Sequence, residues 1–205
     1  MKILVLGATG NTGREVIDIG LERGHELTAY VRSPQKLRRA DARLGVEPGD
    51  ALDASRLAAA LAGKDAVIST LGLPARQALR PSSFMAEAAA TTVAAMKQAG
   101  VSRLAILSAA VLFPQKGAFY AFFRWFLRHH AHDLAAMEAI VTATDLDWTI
   151  ARPPRLVHAE GGSLRIAVGA LPERSFTIPF RAVARFLVEC VESNAHAHQV
   201  VGLAG

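Results

Sequence analysis

Three glycines stand at regular spacing near the start of the chain, directly after a short apolar run. In MKILVLGATGNTGREV they are Gly7, Gly10 and Gly13. A phosphate-binding turn needs one glycine to turn tightly, one to let backbone N–H groups approach the phosphates, and one to let a helix pack closely on a strand. The helix that follows offers free N–H donors and a partial positive charge at its first turn. The pattern therefore favours a site for the pyrophosphate of a dinucleotide.

The same glycines argue against a P-loop. That motif requires GxxxxGK followed by Ser or Thr, whereas Gly13 is followed by Arg14. The spacing here is GxxGxxG, which also departs from the GxGxxG of typical dehydrogenases. Glycines serve ordinary turns as well, and it is the position between a predicted first strand and first helix that makes dinucleotide binding the favoured interpretation.

Basic residues follow the second predicted strand. ELTAYVRSP ends near Arg32, with Lys36 and Arg38 close behind. A site for NAD normally has Asp or Glu here to bind the ribose hydroxyls, and such a carboxylate would repel a 2′-phosphate. Arginine instead binds phosphate through two hydrogen bonds. The sequence therefore predicts NADP rather than NAD as cofactor, and the alternative is a solvated arginine at a loop tip.

The stretch GAFYAFFRWFLRHHAHD, from Gly117 to Asp133, combines aromatic residues with three histidines. Its two arginines exclude a membrane-spanning helix, and its aromatic face could form a pocket wall, a core-packing helix or a contact surface. His129, His130 and His132 lack the spacing and companion carboxylate of a helical zinc site, so no metal is predicted. With Asp133 able to orient an imidazole, His130 or His132 is a candidate proton donor. Solvated surface histidines are the alternative.

The elements that position these residues follow a β–α rhythm. Strands are predicted at KILVL, ELTAYV, LGVEPGD, DAVIST and RLAILS, and helices at TGREVIDIGLERG, ASRLAAALAG and SSFMAEAAATTVAAMKQAG. After Ser108 we expect a helix from Asp133 to about Ala143, a strand DWTIAR, broken extended pieces, a helix FRAVARFLVECVES and an edge strand QVVGLAG. This predicts an α/β fold: a Rossmann-like doubly wound parallel sheet with a small irregular C-terminal substrate region.

Composition limits the class of protein. The 205 residues, of which 51% are hydrophobic, predict one domain, residues 1–205, with residues 111–180 contributing the substrate region. The single cysteine, Cys190, and an apolar start too short for a signal peptide predict a cytoplasmic protein. The net charge of +5 comes from scattered basic residues, which does not favour nucleic-acid binding. The oligomeric state is left open.

Six segments, taken in order, carry a family resemblance: GATGNTG, YVRSPQKL, GDALD, VISTLG, GVSRLAILSAA and LDWTIARPPRL. With them the chain resembles the atypical short-chain dehydrogenases that have an NAD(P)H-binding fold, and within these the biliverdin/flavin-reductase and NmrA-like group. The resemblance implies a cofactor site with the pyrophosphate at Gly7, Thr9, Gly10, Asn11, Thr12 and Gly13, the 2′-phosphate at Arg32, adenine at Asp50 and Ala51, ribose at Leu71 and Gly72, and nicotinamide at Ser108, Ala109 and Pro153.

The chain departs from the resemblance at the catalytic group. Typical members carry Ser, Tyr and Lys, in which the tyrosine protonates a carbonyl and the lysine lowers its pKa. Here the Tyr and Lys positions fall on His130 and Leu134, and the serine position falls on Ala109, next to Ser108. Hydride transfer to a flavin or quinone has less need of a strong general acid than transfer to an isolated carbonyl, because the resulting anion is spread over a conjugated ring. Orientation of the acceptor over the nicotinamide matters more.

The functional prediction is therefore an NADPH-dependent oxidoreductase that reduces a planar conjugated small-molecule acceptor such as a flavin or quinone. Candidate catalytic residues are Ser108, His130 and His132, and candidate substrate contacts are Phe113, Phe119 and Phe123. The alternative is a catalytically silent, NADP-sensing regulator of the NmrA-like kind that acts through a protein partner.

Overall fold

Strands and helices alternate along the chain. The structure is a computed structural model, and it describes residues 1–37, 39–114, 125–159 and 163–205. The strands are β1 (Lys2–Leu6), β2 (Glu26–Val31), β3 (Leu44–Pro48), β4 (Ala66–Ser69), β5 (Arg103–Leu107), β6 (Asp147–Arg152), β7 (Arg155–Val157), β8 (Arg165–Val168), β9 (Thr177–Pro179) and β10 (Gln199–Ala204). The helices are α1 (Asn11–Glu22), α2 (Ala54–Leu61), α3 (Ala75–Ala78), α4 (Phe84–Ala99), α5 (Arg128–Thr142) and α6 (Phe180–Ser193). Short 3-10 turns span Pro34–Lys36 and Ala110–Leu112.

The main sheet has the strand order β3-β2-β1-β4-β5-β6-β10-β8. Neighbouring strands from β3 to β10 pair in parallel, and β8 pairs antiparallel with β10. The short strands β7 and β9 form a separate parallel pair. The order reverses direction at β1, with β2 on one side and β4 on the other, which is the crevice-forming switch of a doubly wound sheet. The predicted fold class is confirmed.

Burial on both faces explains the continuous apolar run of β1. Ile3 and Val5 belong to the core that includes α1 and α6, whereas Leu4 and Leu6 belong to the core that includes α2, α4 and α5. All four side chains are fully buried. Parallel strands covered by helices on both faces carry apolar residues without alternation. The sequence pattern of β1 therefore places it in the middle of the sheet.

The structure corrects two predicted elements. β10 is not an edge strand, because β8 pairs with it through Val201 with Val168 and Leu203 with Ile166. β8 comes from the irregular C-terminal region, where broken extended pieces gave no sign of their partner. The fifth helix begins at Arg128 rather than at Asp133, and no side chain caps its start. Without a capping residue the sequence carries no local signal for the first turn.

α6 packs its apolar side on the sheet and contains the only cysteine of the chain. Cys190 is 4% exposed and lies in the same core as Phe186 and Val191. Burial raises the pKa of the Cys190 thiol to about 12, and Thr149 opposes this shift through a hydrogen bond. The thiol is therefore protonated and enclosed. Among the helices of the described ranges, none has the length and apolar character needed to cross a membrane.

Candidate functional site

The residues predicted to bind cofactor follow the ends of neighbouring strands. They come after β1 (Gly7), β2 (Arg32), β3 (Asp50), β4 (Leu71), β5 (Ser108) and β6 (Pro153). These six strands are parallel to their neighbours, so their carboxyl ends lie at one edge of the sheet. That edge is where ligands bind in open α/β sheets.

The three glycines of the first turn differ in what they allow. Gly7 has φ +77°, and a Cβ there would lie 2.7 Å from the carbonyl carbon of Thr70. A Cβ on Gly13 would lie 2.2 Å from the carbonyl oxygen of Gly7. A Cβ on Gly10 would meet only that same oxygen, at 3.3 Å. The fold therefore requires glycine at the first and third positions, while at Gly10 the missing side chain leaves space in front of the helix.

The N-terminus of α1 opens into that space. Gly10 is its N-cap, no side chain caps the end, and the first turn holds no acidic residue. The first N–H groups of a helix have no partner within the helix, and they carry the positive end of its dipole. Thr12 is buried whereas Asn11 is exposed. The turn and the helix start together fit the phosphates of a dinucleotide.

Basic side chains surround the segment after β2. Arg32 is exposed and makes no hydrogen bond or ion pair with other residues in the described ranges. Arg14, on the first turn of α1, donates from Nη2 to the carbonyl oxygen of Lys36 at 3.4 Å. A cavity of about 660 Å³ is lined by Arg14, Ile17, Asp18, Gln35, Lys36, Leu37 and Arg39. Asp18 is bound to Arg39 at 2.7 Å, so the remaining charge beside the cavity is positive.

The segments after β3 and β4 flank the ends of β2 and β1 on opposite sides, β3 beside β2 and β4 beside β1. The hydroxyl of Tyr30 donates to the carbonyl oxygen of Asp50 at 3.2 Å, and Ala51 is buried. Thr70 donates from Oγ1 to the carbonyl oxygen of Leu6 at 3.0 Å, which joins the end of β4 to the end of β1. The next two residues are the half-buried Leu71 and the exposed Gly72.

Ser108 belongs to a buried polar cluster that the sequence did not reveal. Its hydroxyl donates to Oε1 of Glu138 at 2.5 Å. Arg152 donates to the same carboxylate, from Nε to Oε1 at 2.9 Å and from Nη2 to Oε2 at 2.5 Å. Ser108 is 7% and Glu138 is 6% exposed. The cluster joins the ends of β5 and β6 to α5, beside the residues predicted to approach the nicotinamide.

Backbone hydrogen bonds hold the two strand ends in register beside this cluster. The N–H of Ser108 donates to the carbonyl oxygen of Ala151 at 2.8 Å, and that of Ala110 donates to the carbonyl oxygen of Pro153 at 2.8 Å. Ala109, between them, is half-buried. The predicted nicotinamide neighbours Ser108, Ala109 and Pro153 thus lie together on two adjacent strand ends.

Phe113, predicted to contact substrate, is 5% exposed. The guanidinium carbon of Arg152 lies 4.7 Å from the centre of its ring. A cation on an aromatic face is stabilised by the ring quadrupole. The ring therefore supports the arginine that holds Glu138, and direct contact between Phe113 and substrate stays a prediction.

The sequence did contain one signal for Glu138. It shares the buried side of α5 with Leu134, Met137 and Val141, so a carboxylate stands among apolar residues at helical spacing. Charged groups are rarely buried without a partner. Such a residue calls for a cation nearby, and Arg152 stands in the quoted motif LDWTIARPPRL.

The predicted role of Asp133 is wrong. Its two carboxylate oxygens accept hydrogen bonds from the backbone N–H groups of Met85 at 3.2 Å and Ala86 at 3.0 Å. Asp133 is 2% exposed and satisfies donors in the first turn of α4. A carboxylate near a helix N-terminus is stabilised there by the unpaired N–H groups. It therefore joins α5 to α4 instead of orienting an imidazole.

The two candidate histidines differ in their surroundings. His132 is exposed, as a solvated histidine would be, whereas His130 is partly buried. Nδ1 of His130 is buried and has no hydrogen-bond partner among the described residues. Burial lowers the pKa of His130, and the charge of Asp133 opposes this shift. Their proposed part in proton transfer stays a prediction.

The remaining substrate candidates, Phe119 and Phe123, lie outside the described residues. Next to that segment Trp125 is 60% and Phe126 is 45% exposed. The described ranges contain no group of three or more His, Cys, Asp or Glu side chains that could hold a metal ion.

Comparisons with known proteins agree with this geometry. The chain is 30% identical to the oxidoreductase stcQ of Emericella nidulans over an alignment of 217 positions, gaps included, that covers 93% of this chain and 77% of that protein. Its fold is similar to the oxidoreductase ylbE of Lactococcus lactis, with a TM-score of 0.85, 22% identity and coverage of 100% and 91% of the two chains. It is also similar to ChuY, an anaerobillin reductase of Escherichia coli O157:H7, with a TM-score of 0.78, 22% identity and coverage of 100% and 97%. At this identity the two solved structures establish the likeness of fold alone.

A protein-family model described as NAD(P)H-binding matches residues 7–194. That range begins at Gly7, the first of the three glycines after β1, and extends beyond α6. It includes all the strand ends that form the candidate site. The chain therefore belongs to the NAD(P)H-binding family.

Proposed function

We propose that the protein is an NADPH-dependent reductase that transfers a hydride to a planar conjugated acceptor such as a flavin or quinone. The observation that carries the proposal is the buried cluster at the end of β5. There the hydroxyl of Ser108 donates a hydrogen bond to the Glu138 carboxylate, which also accepts from Arg152. A hydroxyl held in this way is not free to protonate an alkoxide. An acceptor that spreads its charge over a ring has the least need of such a proton.

The sequence also supports an acceptor that does not need a strong proton donor. Its two tyrosines are Tyr30 and Tyr120, and the residues four positions later are Pro34 and Arg124, so the chain has no Tyr-x-x-x-Lys pair. Tyr30 is buried and donates to Asp50. Orientation of the acceptor over the cofactor is then the main contribution that the protein makes to the rate. We assign that task to residues 111–180, within one domain spanning residues 1–205.

The choice of NADP rests on charge. The cofactor would supply the hydride, and the turn containing Gly10 with the start of α1 would hold its pyrophosphate. Arg32 is exposed without a carboxylate partner, and Arg14 and Lys36 lie beside the neighbouring cavity. A 2′-phosphate binds favourably to an arginine at the end of the second strand. From the lone cysteine we also propose a cytoplasmic location. From the scattered basic charges we propose that the protein has no nucleic-acid partner.

The names of the relatives support a redox role. stcQ is described as an oxidoreductase and ChuY as an anaerobillin reductase. From these names we infer only the reaction class, oxidation and reduction.

The test is to follow NADPH oxidation with a panel of acceptors that contains flavins, quinones and simple carbonyl compounds. We expect steady turnover with flavins or quinones and little with isolated carbonyls, and no turnover from a folded Gly10→Val variant. The alternative is a regulator that senses NADP without turnover. Tight NADPH binding with no oxidation across the whole panel would support that regulator and overturn the reductase.

A further inference from the structure

The buried carboxylate of Glu138 determines whether the Ser108 hydroxyl donates or accepts in the hydrogen bond between them. A serine hydroxyl has one proton to donate and two lone pairs that accept. Glu138 faces the permanently charged guanidinium of Arg152 through two hydrogen bonds, at 2.9 Å and 2.5 Å. A carboxylate in such a pair only accepts hydrogen bonds. The 2.5 Å separation of Ser108 Oγ from Glu138 Oε1 is also that of an O–H group bound to a carboxylate. Ser108 therefore donates to Glu138.

Little can relax this arrangement. Ser108 and Glu138 are 7% and 6% exposed, so water does not readily replace either partner. Arg152 is itself held against the ring of Phe113 at 4.7 Å. With its proton committed to Glu138, the only capacity that Ser108 retains is that of an acceptor. A ligand group that meets Ser108 must then be a donor, because a second acceptor would lose its water and gain no hydrogen bond.

We propose that Glu138 is a specificity-determining positioning residue: by fixing Ser108 as a hydrogen-bond acceptor, it selects planar acceptors that present a ring N–H over acceptors that present only carbonyl oxygens. The inference rests on the proposed reductase function and narrows its substrate class. A flavin ring carries an N–H between two carbonyl groups, whereas a simple quinone carries carbonyl oxygens alone. The acceptor oxygen of Ser108 is thus complementary to the first class and not to the second.

The experiment compares lumiflavin with N3-methyllumiflavin, which lacks the ring N–H. Two quantities are measured for each flavin: kcat/KM with NADPH, and the dissociation constant from flavin fluorescence quenching in the presence of NADP. One hydrogen bond to a neutral donor predicts that the wild-type protein favours lumiflavin by about 3- to 10-fold in both quantities.

The variants separate hydrogen bonding from the size of the methyl group. In Glu138→Gln a neutral amide oxygen holds the serine proton less tightly than the carboxylate does, so the preference should fall towards one. The two side chains have the same shape, and a purely steric effect of the methyl group would remain. Glu192→Gln is the matched control, since Glu192 also pairs with an arginine, Arg23 at 2.6 Å, but lies on α6. It should keep the wild-type preference.

A second variant protects the test against misfolding. Glu138→Gln leaves the charge of Arg152 without its carboxylate, whereas Ser108→Ala keeps that pair intact and removes the acceptor. It too should abolish the preference. The inference is overturned if the preference survives in folded Ser108→Ala, if the wild-type protein does not discriminate, or if it binds neither flavin. If the flavins bind with the expected preference and NADPH is not oxidised, the reductase function fails while the selectivity stands.

A further arm tests whether the N–H that meets Ser108 comes from the cofactor. The 3-acetylpyridine analogue of NADP replaces the carboxamide N–H₂ with a methyl group. A loss of affinity for this analogue that Ser108→Ala abolishes, with no discrimination between the flavins, would assign the acceptor to the nicotinamide and overturn the selection of substrate.

Discussion

At the scale of single residues, Arg32 is the side chain on which the proposed preference for NADP rests. It is exposed and follows β2 directly. We expect Arg32→Ala to weaken NADPH binding by about 1.5–3 kcal/mol, the range for hydrogen bonds to charged groups, with little effect on NADH. Fluorescence titration of both cofactors measures the difference. Arg185→Ala, an exposed arginine on α6, is the control and should change neither affinity. Equal losses for NADPH and NADH would remove the 2′-phosphate assignment.

His130 gives the stability of the protein a dependence on pH. Burial lowers its pKa in the folded state below the ordinary value of 6.5, so the unfolded chain binds the proton more readily. Stability is then complete above the ordinary pKa and falls as the pH drops from there towards the lowered, folded-state value. We expect His130→Gln to flatten this decline in urea unfolding measured across a pH series.

His132→Gln is the matched control for that series, because His132 is exposed on the same helix turn. It should leave the pH dependence of the free energy of unfolding unchanged. An identical decline in the wild-type protein and His130→Gln would show that burial of His130 is not the cause.

At the scale of elements, the glycines in the turn between β1 and α1 differ in what a side chain would disturb: cofactor binding at Gly10 and folding at Gly13. A Cβ at Gly10 meets one backbone oxygen at 3.3 Å, whereas a Cβ at Gly13 would lie 2.2 Å from that oxygen. We expect Gly10→Val to keep most of the stability and lose binding of both cofactors, because its side chain would occupy the place of the pyrophosphate. Gly13→Ala should instead lower the melting temperature. Thermal melts and cofactor titrations of the two variants measure these effects. Unchanged cofactor affinity in folded Gly10→Val would contradict the proposed phosphate site.

The link between α5 and β6 depends on the Glu138–Arg152 pair. Arg152→Met would leave the 6% exposed Glu138 carboxylate without its cation. Removing one partner of a buried pair costs about 3–5 kcal/mol, whereas replacing both with apolar groups is often nearly neutral. We therefore expect Arg152→Met to lose that much free energy of unfolding and Arg152→Met with Glu138→Leu to recover most of it. Equal stability of the single variant and the wild-type protein would show that the pair does not hold α5 in place.

Elements with a strong local pattern could be predicted from the sequence. DWTIAR and FRAVARFLVECVES match β6 and α6 residue for residue, since one is an apolar parallel strand and the other has a clear apolar stripe. The partner of β10 could not be predicted, because register between distant strands leaves no local trace. The pairing of Glu138 with Arg152 was missed for the same reason. It is a contact between α5 and β6, 14 residues apart, and the buried position of Glu138 on its helix indicates that it has a partner without identifying it.

At the scale of the whole molecule, the parallel sheet collects residues that are far apart in sequence. Gly7 and Pro153 both follow strand ends that point to the same edge. The β–α rhythm predicts this convergence of strand ends. The individual residues beyond the glycine turn and Arg32 come from the family resemblance, and their part in cofactor binding stays a prediction. The acceptor side could not be predicted from pattern, because the candidate contacts Phe119 and Phe123 lie in a stretch whose pattern fits a core helix and a pocket wall equally well.

The rate at which the buried thiol of Cys190 is modified measures how often the fold opens. A reagent such as Ellman's needs an accessible thiolate, and this one is 4% exposed with its pKa raised to about 12. Modification should therefore be slow in the native protein, fast in urea, and limited by how often the fold opens. A dinucleotide that binds only the folded state suppresses opening by the factor 1 + [L]/Kd, about 100-fold when the ligand is at 100 times its Kd. We expect NADPH to slow labelling accordingly, NADH to slow it far less at equal concentration, and Gly10→Val to be insensitive to both; native labelling as fast as that in urea would contradict the enclosure of the thiol.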